Sequence, residues 1–153
     1  MAQAIKTLII NDIVSTLETV QTGGGSPAYQ RTLRAVSRKR KSLMEAQRDM
    51  VYVESLGEKK SDWGNNVTES TMTVGLFCVI QDMDDLPTAM DDVTADITRA
   101  LLADEKRNQN AISTEILTVL DSVDDDAEPT GTVSIEVKVV YRHKRTDPTV
   151  RAG

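Results

Sequence analysis

The chain has 153 residues, of which 39% are hydrophobic and 27% charged, a composition typical of folded rather than disordered proteins. A chain of this length can bury one modest core, so we predict a single domain over residues 1–153. The net charge of −6 and the aromatic content of 3% argue against a dedicated nucleic-acid binder, because few rings are present for bases to stack on.

Cysteine usage and apolar runs indicate where the protein is made. Cys78 is the single cysteine, which excludes an internal disulfide and a cysteine metal cluster. Asn11 and Asp12 interrupt the apolar run that follows Lys6, so the pattern lacks a signal-peptide core. No run approaches the length of a membrane span. These patterns predict a protein that is made in a cytoplasm and has no membrane partner.

The first part of the chain predicts a helix followed by a basic segment. Apolar residues recur at helical spacing over residues 4–20, and a Gly-rich stretch ends the pattern. Residues 29–41 then form the basic segment, whose six cations are Arg31, Arg34, Arg38, Lys39, Arg40 and Lys41. Its periodicity leaves three structures open: an edge strand protected by its cations, a short helix, or a loop.

The middle of the chain predicts two strands separated by a polar loop. Residues 50–55 indicate a short strand, and residues 55–66 are rich in turn formers, which predicts a loop. Trp63 in this loop either anchors it to the domain or faces a partner as a hot spot. Residues 67–80 alternate and then become apolar on both faces, which is typical of a central strand that is covered near its end.

A long helix over residues 86–106 is predicted to cover this strand. Asp85 and Pro87 supply an acidic cap and a proline in the first turn. The apolar stripe consists of Leu86, Met90, Val93, Ile97 and Leu101, and the opposite face carries Asp91, Asp92 and Asp96. This spacing predicts that the three aspartates face solvent.

The last part of the chain predicts two more strands and a tail. Residues 111–123 indicate a strand, and an acidic turn follows it. Residues 131–143 give the clearest strand signal, because the odd positions from Val133 to Tyr141 are all apolar. His143 lies in a run of cations and is predicted to be exposed. Residues 144–153 are predicted to form a C-terminal tail in which Pro148 ends the strand pairing.

No catalytic group, metal site or cofactor site can be assembled from the sequence, because His143 is the only histidine and the acidic clusters lack calcium-loop spacing. We therefore predict that the protein is not an enzyme.

Charge is segregated along the chain. Cationic residues 31–41 and 142–145 contrast with anionic residues 82–96 and 121–128. One interpretation is a set of solvated surfaces. The other is a self-complementary pattern, in which the basic side of one copy meets the acidic side of the next in a head-to-tail ring.

The chain contains an N-terminal helix, the basic segment, a strand such as 72–80, a helix ending in Ala100-Leu101-Leu102-Ala103-Asp104, and Val139-Val140-Tyr141-Arg142 before Thr146-Asp147-Pro148. This order of elements and the C-terminal sequence resemble the tail terminator (tail completion) proteins of tailed bacteriophages. The resemblance implies an α+β fold, with a mostly antiparallel or mixed sheet, an N-terminal helix and a long helix packed on one face. It also implies a homohexameric ring that caps the tail tube, stops its polymerisation and joins the tail to the head. The implied partners are further copies, the tail tube protein and a head completion or neck protein, with the tail sheath protein as a further candidate.

The resemblance also implies a virion protein of the tail or neck, assembled in the host cytoplasm. The candidate docking residues are Arg31, Arg34, Arg38, Lys39, Arg40, Lys41, Trp63, Arg142, Lys144, Arg145, Asp147 and Pro148. The candidate acidic residues, which would face the lumen or a partner, are Asp124, Asp125, Asp126 and Glu128. DNA is expected only as transiting cargo, and a basic lumen would retain its phosphates. The alternatives are another head-tail connector or neck protein, or a small nucleic-acid-binding module using residues 31–41.

Overall fold

A six-stranded mixed sheet forms the body of the protein over the residues that the computed structural model describes, 2–23, 29–38, 49–82, 84–124 and 130–152. The elements in chain order are α1 (Ile5–Glu18), β1 (Ala35–Ser37), β2 (Met50–Gly64), β3 (Val67–Gln81), α2 (Leu86–Leu102), β4 (Ser113–Asp124), β5 (Thr130–Lys144) and β6 (Asp147–Arg151). The strand order is β1-β2-β3-β5-β4, and β6 pairs with β5. β1 runs parallel to β2, whereas the other pairs are antiparallel.

The predicted α+β fold with a long packed helix is wrong, because the protein is mostly β. Half of the described residues lie in strands, and the described chain has only two helices. Two segments predicted as irregular are strands: β2 continues from the short predicted strand through the predicted loop to Gly64, and β6 forms within the predicted tail. The predicted helix over 86–106 is also shorter, since α2 ends at Leu102 and turns follow it.

The central pair of the sheet is β3 with β5. The two strands pair over their whole length without a register shift, from Val67 opposite Lys144 to Gln81 opposite Thr130. The predicted strands over 67–80 and 131–143 are therefore confirmed. Their apolar phases share one face, where Val74 lies opposite Val137 and both side chains are fully buried. Cross-strand contacts of this kind stabilise the pairing.

Both helices pack on this apolar face and complete the core. Ile9 and Ile13 of α1 and Val93 and Ile97 of α2 are completely buried. The sulfur of Met90 lies only 2.5 Å from where a Cβ on Gly131 would be, so glycine at the start of β5 permits the close approach of α2. Neither described helix combines the length and apolarity needed to cross a bilayer.

A buried carboxylate attaches the start of the basic segment to α2. Asp96, predicted to face solvent, is fully buried, and its carboxylate accepts hydrogen bonds of 2.9–3.0 Å from the backbone N–H groups of Gln30 and Arg31. The prediction failed because the helical pattern does not show that an irregular segment covers this side of α2. Hydrogen bonds to backbone N–H groups offset the cost of burying the carboxylate.

A second buried charge links α1 to the turns after α2. The side chain of Arg107 is completely buried, its Nη1 lies 3.2 Å from Oδ2 of Asp12, and its Nη2 donates to the carbonyl oxygens of Leu101 and Asp104. Burial lowers the pKa of Arg107 and raises that of Asp12, and in each case the charge of the partner opposes the shift. The ion pair thus connects two elements that are distant in the sequence.

We expect Asp12→Ala to lower the free energy of unfolding by about 3 kcal/mol, because it leaves the buried Arg107 guanidinium without its counter-ion. Urea unfolding followed by circular dichroism measures this change. Glu18→Ala is the matched control, since Glu18 is an exposed acidic residue on the same helix and should change stability by less than about 0.5 kcal/mol. Equal losses in the two variants would contradict a structural role for the ion pair.

Candidate interaction surfaces

The end of the sheet where β2 turns into β3 carries a polar cluster, which we call the strand-end surface and define by Trp63, Glu69, Arg142, Lys144 and Arg145. The β3–β5 register aligns Glu69 with Arg142, so the end of β5 lies beside the β2–β3 turn. Asn65 and Asn66 form this turn with φ angles of 52° and 62°, a conformation that asparagine tolerates. The fold thus brings together residues that are about 80 positions apart in the sequence.

Trp63 and Arg142 form the centre of the strand-end surface. The guanidinium carbon of Arg142 lies 3.6 Å from the ring centroid of Trp63, and Nε of Arg142 donates to Oε2 of Glu69 at 2.9 Å. Trp63 is nevertheless 55% exposed. Tryptophan and arginine are among the residue types that contribute most binding free energy at protein interfaces, and here a stacked arginine holds an exposed tryptophan.

The remaining cations of this end are arranged by the β5–β6 hairpin. Arg145 pairs with Asp62 of β2 through its side chain, and its backbone N–H donates to the carbonyl of Asn66 at 2.8 Å. Lys144 is exposed and pairs through its backbone with Asp147. The prediction that Pro148 ends the pairing is wrong. Pro148 lies between Asp147 and Arg151, the two positions of β6 that pair with β5, where no backbone N–H is needed for strand pairing.

The prediction that His143 is exposed is also wrong, because its side chain is only 5% exposed. His143 continues the odd phase of β5, which faces the core. Its Nδ1 lies 2.7 Å from the carbonyl oxygen of Lys144, and its Nε2 lies 3.1 Å from Nζ of Lys60. A neutral imidazole satisfies both contacts, since Nδ1–H donates to the carbonyl and Nε2 accepts from the ammonium.

The basic segment lies at the opposite end of the sheet. β1, residues 35–37, is an edge strand, one of the three structures that the sequence left open. Arg31 is largely buried and donates to both carboxylate oxygens of Asp49 at 2.9 Å and to Oδ2 of Asp82 at 3.0 Å. Arg34 and Arg38 are exposed, whereas residues 39–41 lie outside the described residues.

The candidate docking residues therefore fall into two groups rather than one surface. Arg31 bonds to Asp82, directly after the last residue of β3, whereas Trp63 and Arg142 lie near its first residue. Fifteen residues of strand separate these ends by roughly 45 Å. Among the acidic candidates, Asp124 pairs with Thr130 through its backbone at the Arg31 end, and Asp125, Asp126 and Glu128 lie outside the described residues.

An apolar edge, which the sequence reasoning missed, runs along β4. We call it the edge surface and define it by Leu117, Val119, Leu120 and Val123, which are 49%, 38%, 65% and 54% exposed. β4 is the outermost strand on its side of the sheet, so half of its backbone N–H and C=O groups have no neighbouring strand among the described residues. Apolar residues on both phases of residues 111–123 were the available signal, but only the topology shows that this strand is an edge.

Among the residues that the structure describes, no group of three or more His, Cys, Asp and Glu side chains could hold a metal ion. Comparison with known proteins gives no match to a family model and no significant match to a curated protein.

We expect Asp82→Asn to make stability less dependent on pH in acid. The N–H groups of Asp85 and Asp84, and then Arg31, lower the folded-state pKa of Asp82 to about 2, whereas an unfolded aspartate has a pKa of about 3.9. The contribution of Asp82 is therefore complete above about pH 4 and is lost as the pH falls toward 2. The midpoints of urea unfolding, measured from pH 2 to 6 for Asp82→Asn and for the unchanged protein, report the difference in pH dependence.

The control for this measurement is Asp91→Asn, which changes an exposed aspartate on α2. The midpoint of this variant should follow the pH dependence of the unchanged protein. A profile for Asp82→Asn that coincides with that of the control would contradict the role of the Asp82 contacts.

Proposed function

We propose that the protein is a structural component of a tailed-phage virion, a tail terminator that assembles into a ring on the end of the tail tube. The observation that carries this proposal is the edge surface. A protein that acts through assembly needs surfaces that remain unsatisfied in the single chain. Within the described part of the chain, β4 has both unpaired backbone groups and exposed apolar side chains. The resemblance of the sequence to tail terminators supplies the class of assembly.

The occupant proposed for the edge surface is a second copy of the chain. Among the described residues, β2 also has an open side, because β1 pairs only with Met50–Tyr52 and leaves Val53–Gly64 with one neighbouring strand. The proposed contact uses Val53–Lys60 and leaves Trp63 to the strand-end surface. The two open strands lie on opposite sides of the sheet. A ring requires a heterologous contact, in which one surface of each copy meets a different surface of the next, and the two sides of this sheet supply such a pair.

The strand-end surface is proposed to bind the tail tube protein or the head completion protein. Trp63 projects into solvent while Arg142 holds its ring and Glu69 holds Arg142. Side chains that are already ordered lose little conformational entropy when a partner binds. The acidic residues 124–128 are proposed to face the channel, where they would not retain DNA phosphates.

The first test of this proposal is assembly. Native mass spectrometry of the purified protein, with and without tail tubes, should show a ring, and Leu120→Lys should shift the population toward monomers. Replacing an apolar contact of about 1.5–3 kcal/mol with a charge raises the concentration needed for assembly by tenfold or more. Leu102→Lys is the control, since Leu102 is an exposed leucine at the end of α2.

The two variants separate assembly from solubility. If Leu102→Lys dissociated the ring as strongly as Leu120→Lys, the edge surface would not be the contact between copies. A chain that stays monomeric with tail tubes present would contradict the proposed function.

The second test addresses the strand-end surface. Trp63→Ala should leave the ring intact but reduce the fraction of tube ends that carry one by tenfold or more, because truncating an interface hot spot costs about 2 kcal/mol or more. Negative-stain imaging of mixtures with tail tubes counts the capped ends. Unchanged capping by Trp63→Ala would exclude this surface as the tube contact and leave the ring proposal to the first test.

A further inference from the structure

A pocket of about 330 Å³ lies between the turns after α2, β5 and β6. Three basic residues, Lys106, Arg142 and Arg151, line it together with Gln109 and Asn110. None of the described residues that line it carries a carboxylate, although the chain as a whole has a net charge of −6. A local excess of cations in an acidic protein favours an anionic ligand.

The turns that form one wall of the pocket are held in an unusual conformation. Arg107, Asn108 and Gln109 have successive φ angles of 47°, 55° and 67°, in the left-handed region that non-glycine residues seldom adopt. The carboxylate of Asp104 accepts hydrogen bonds from the N–H groups of Lys106 and Asn108 at 3.1 and 2.7 Å, which fixes the turn. Backbone strain that the surroundings maintain in this way is concentrated at ligand sites.

The cations of the pocket come from separate elements and differ in their existing partners. Arg142 is fixed by Glu69 and by the ring of Trp63. Arg151 donates to the carbonyl oxygen of Gln109, which joins β6 to the turns. Within the described part of the chain, Lys106 and Arg151 form no ion pair with a carboxylate. Lys106 and Arg151 are thus available to a ligand. The walls of the site are already joined by the hydrogen bond between Arg151 and Gln109.

We propose that this pocket binds a compact phosphate-class oxyanion, either inorganic phosphate or the terminal phosphate of a monoester. The ammonium of Lys106 and the guanidinium of Arg151 supply the charge-assisted hydrogen bonds that such an anion requires, and the amides of Gln109 and Asn110 supply neutral donors. The volume is at the lower end of the range for ligand pockets, which suits a small anion. This site shares no residue with the edge surface, and Arg142 is the one residue that it shares with the strand-end surface.

Isothermal titration of the full chain with inorganic phosphate, at an ionic strength held constant with chloride, tests the proposal. We expect one bound phosphate per chain, and Lys106→Gln and Arg151→Gln should each raise the dissociation constant about tenfold, because each removes a charge-assisted hydrogen bond. Lys106→Arg keeps the charge and should retain binding. Lys59→Gln is the matched control, since Lys59 is an exposed lysine that does not line the pocket.

Phosphate that binds no more tightly than chloride would overturn the proposal, as would an equal loss of affinity in Lys59→Gln. The source of the phosphate is resolved by competition. A 5′-mononucleotide should displace inorganic phosphate, whereas a dinucleotide without a terminal phosphate should not. Equal displacement by the dinucleotide would show that the site accepts the nucleic-acid backbone and would overturn the assignment to a monoester.

Discussion

The uninterrupted register between β3 and β5 is the constraint on which the rest of the structure depends. Side chains alternate across a strand, so a slip of one residue would move every buried side chain of β5 to the opposite face. His143 and Tyr141 would leave the core, and Arg142 would enter it. The contact of Arg142 with Trp63 and Glu69, and the cationic wall of the pocket, both require the observed register. The apolar pattern of the core therefore also determines the chemistry of the exposed end.

The irregular segments are fixed by buried charges as well as by apolar contacts such as those of Leu33 and Ala111 with the core. Asp96 binds the backbone at residues 30–31, Arg107 binds Asp12 and two carbonyl oxygens, and Arg31 joins Asp49 to Asp82. Each group costs free energy to bury and recovers it only through its partners. Such contacts exist in a single arrangement, whereas apolar side chains can repack. The charged contacts thus specify where the basic segment and the turns after α2 lie.

Alternating apolar residues made β3 and β5 predictable, and the Asp-Leu-Pro cap made the start of α2 predictable. The second half of β2 was not predictable, because residues such as Glu58 and Lys60 carry no apolar signal. It is a strand because β3 provides a hydrogen-bonding partner for its backbone. Trp63 and Arg142 were both recognised as candidates from the sequence. Their contact was not predictable, because it depends on a turn and on two registers. The buried position of Asp96 was missed because a tertiary neighbour covers it. That of His143 was signalled in the sequence, since His143 continues the odd, buried phase of β5.

The arrangement of open surfaces explains how one small sheet could serve several partners at once. β4 and Val53–Lys60 of β2 lie on its two sides, and the strand-end surface lies at one end. Contacts through these two side surfaces would join identical copies and leave the ends free, because neither includes a residue of the strand-end surface. Neighbours of a different kind could then bind at the ends without competing with ring closure. A sheet with open sides is prone to aggregation unless another chain covers its edges. In the proposed ring, Leu117 and Leu120, whose exposure would be a liability in a monomer, would lie in the contact between copies.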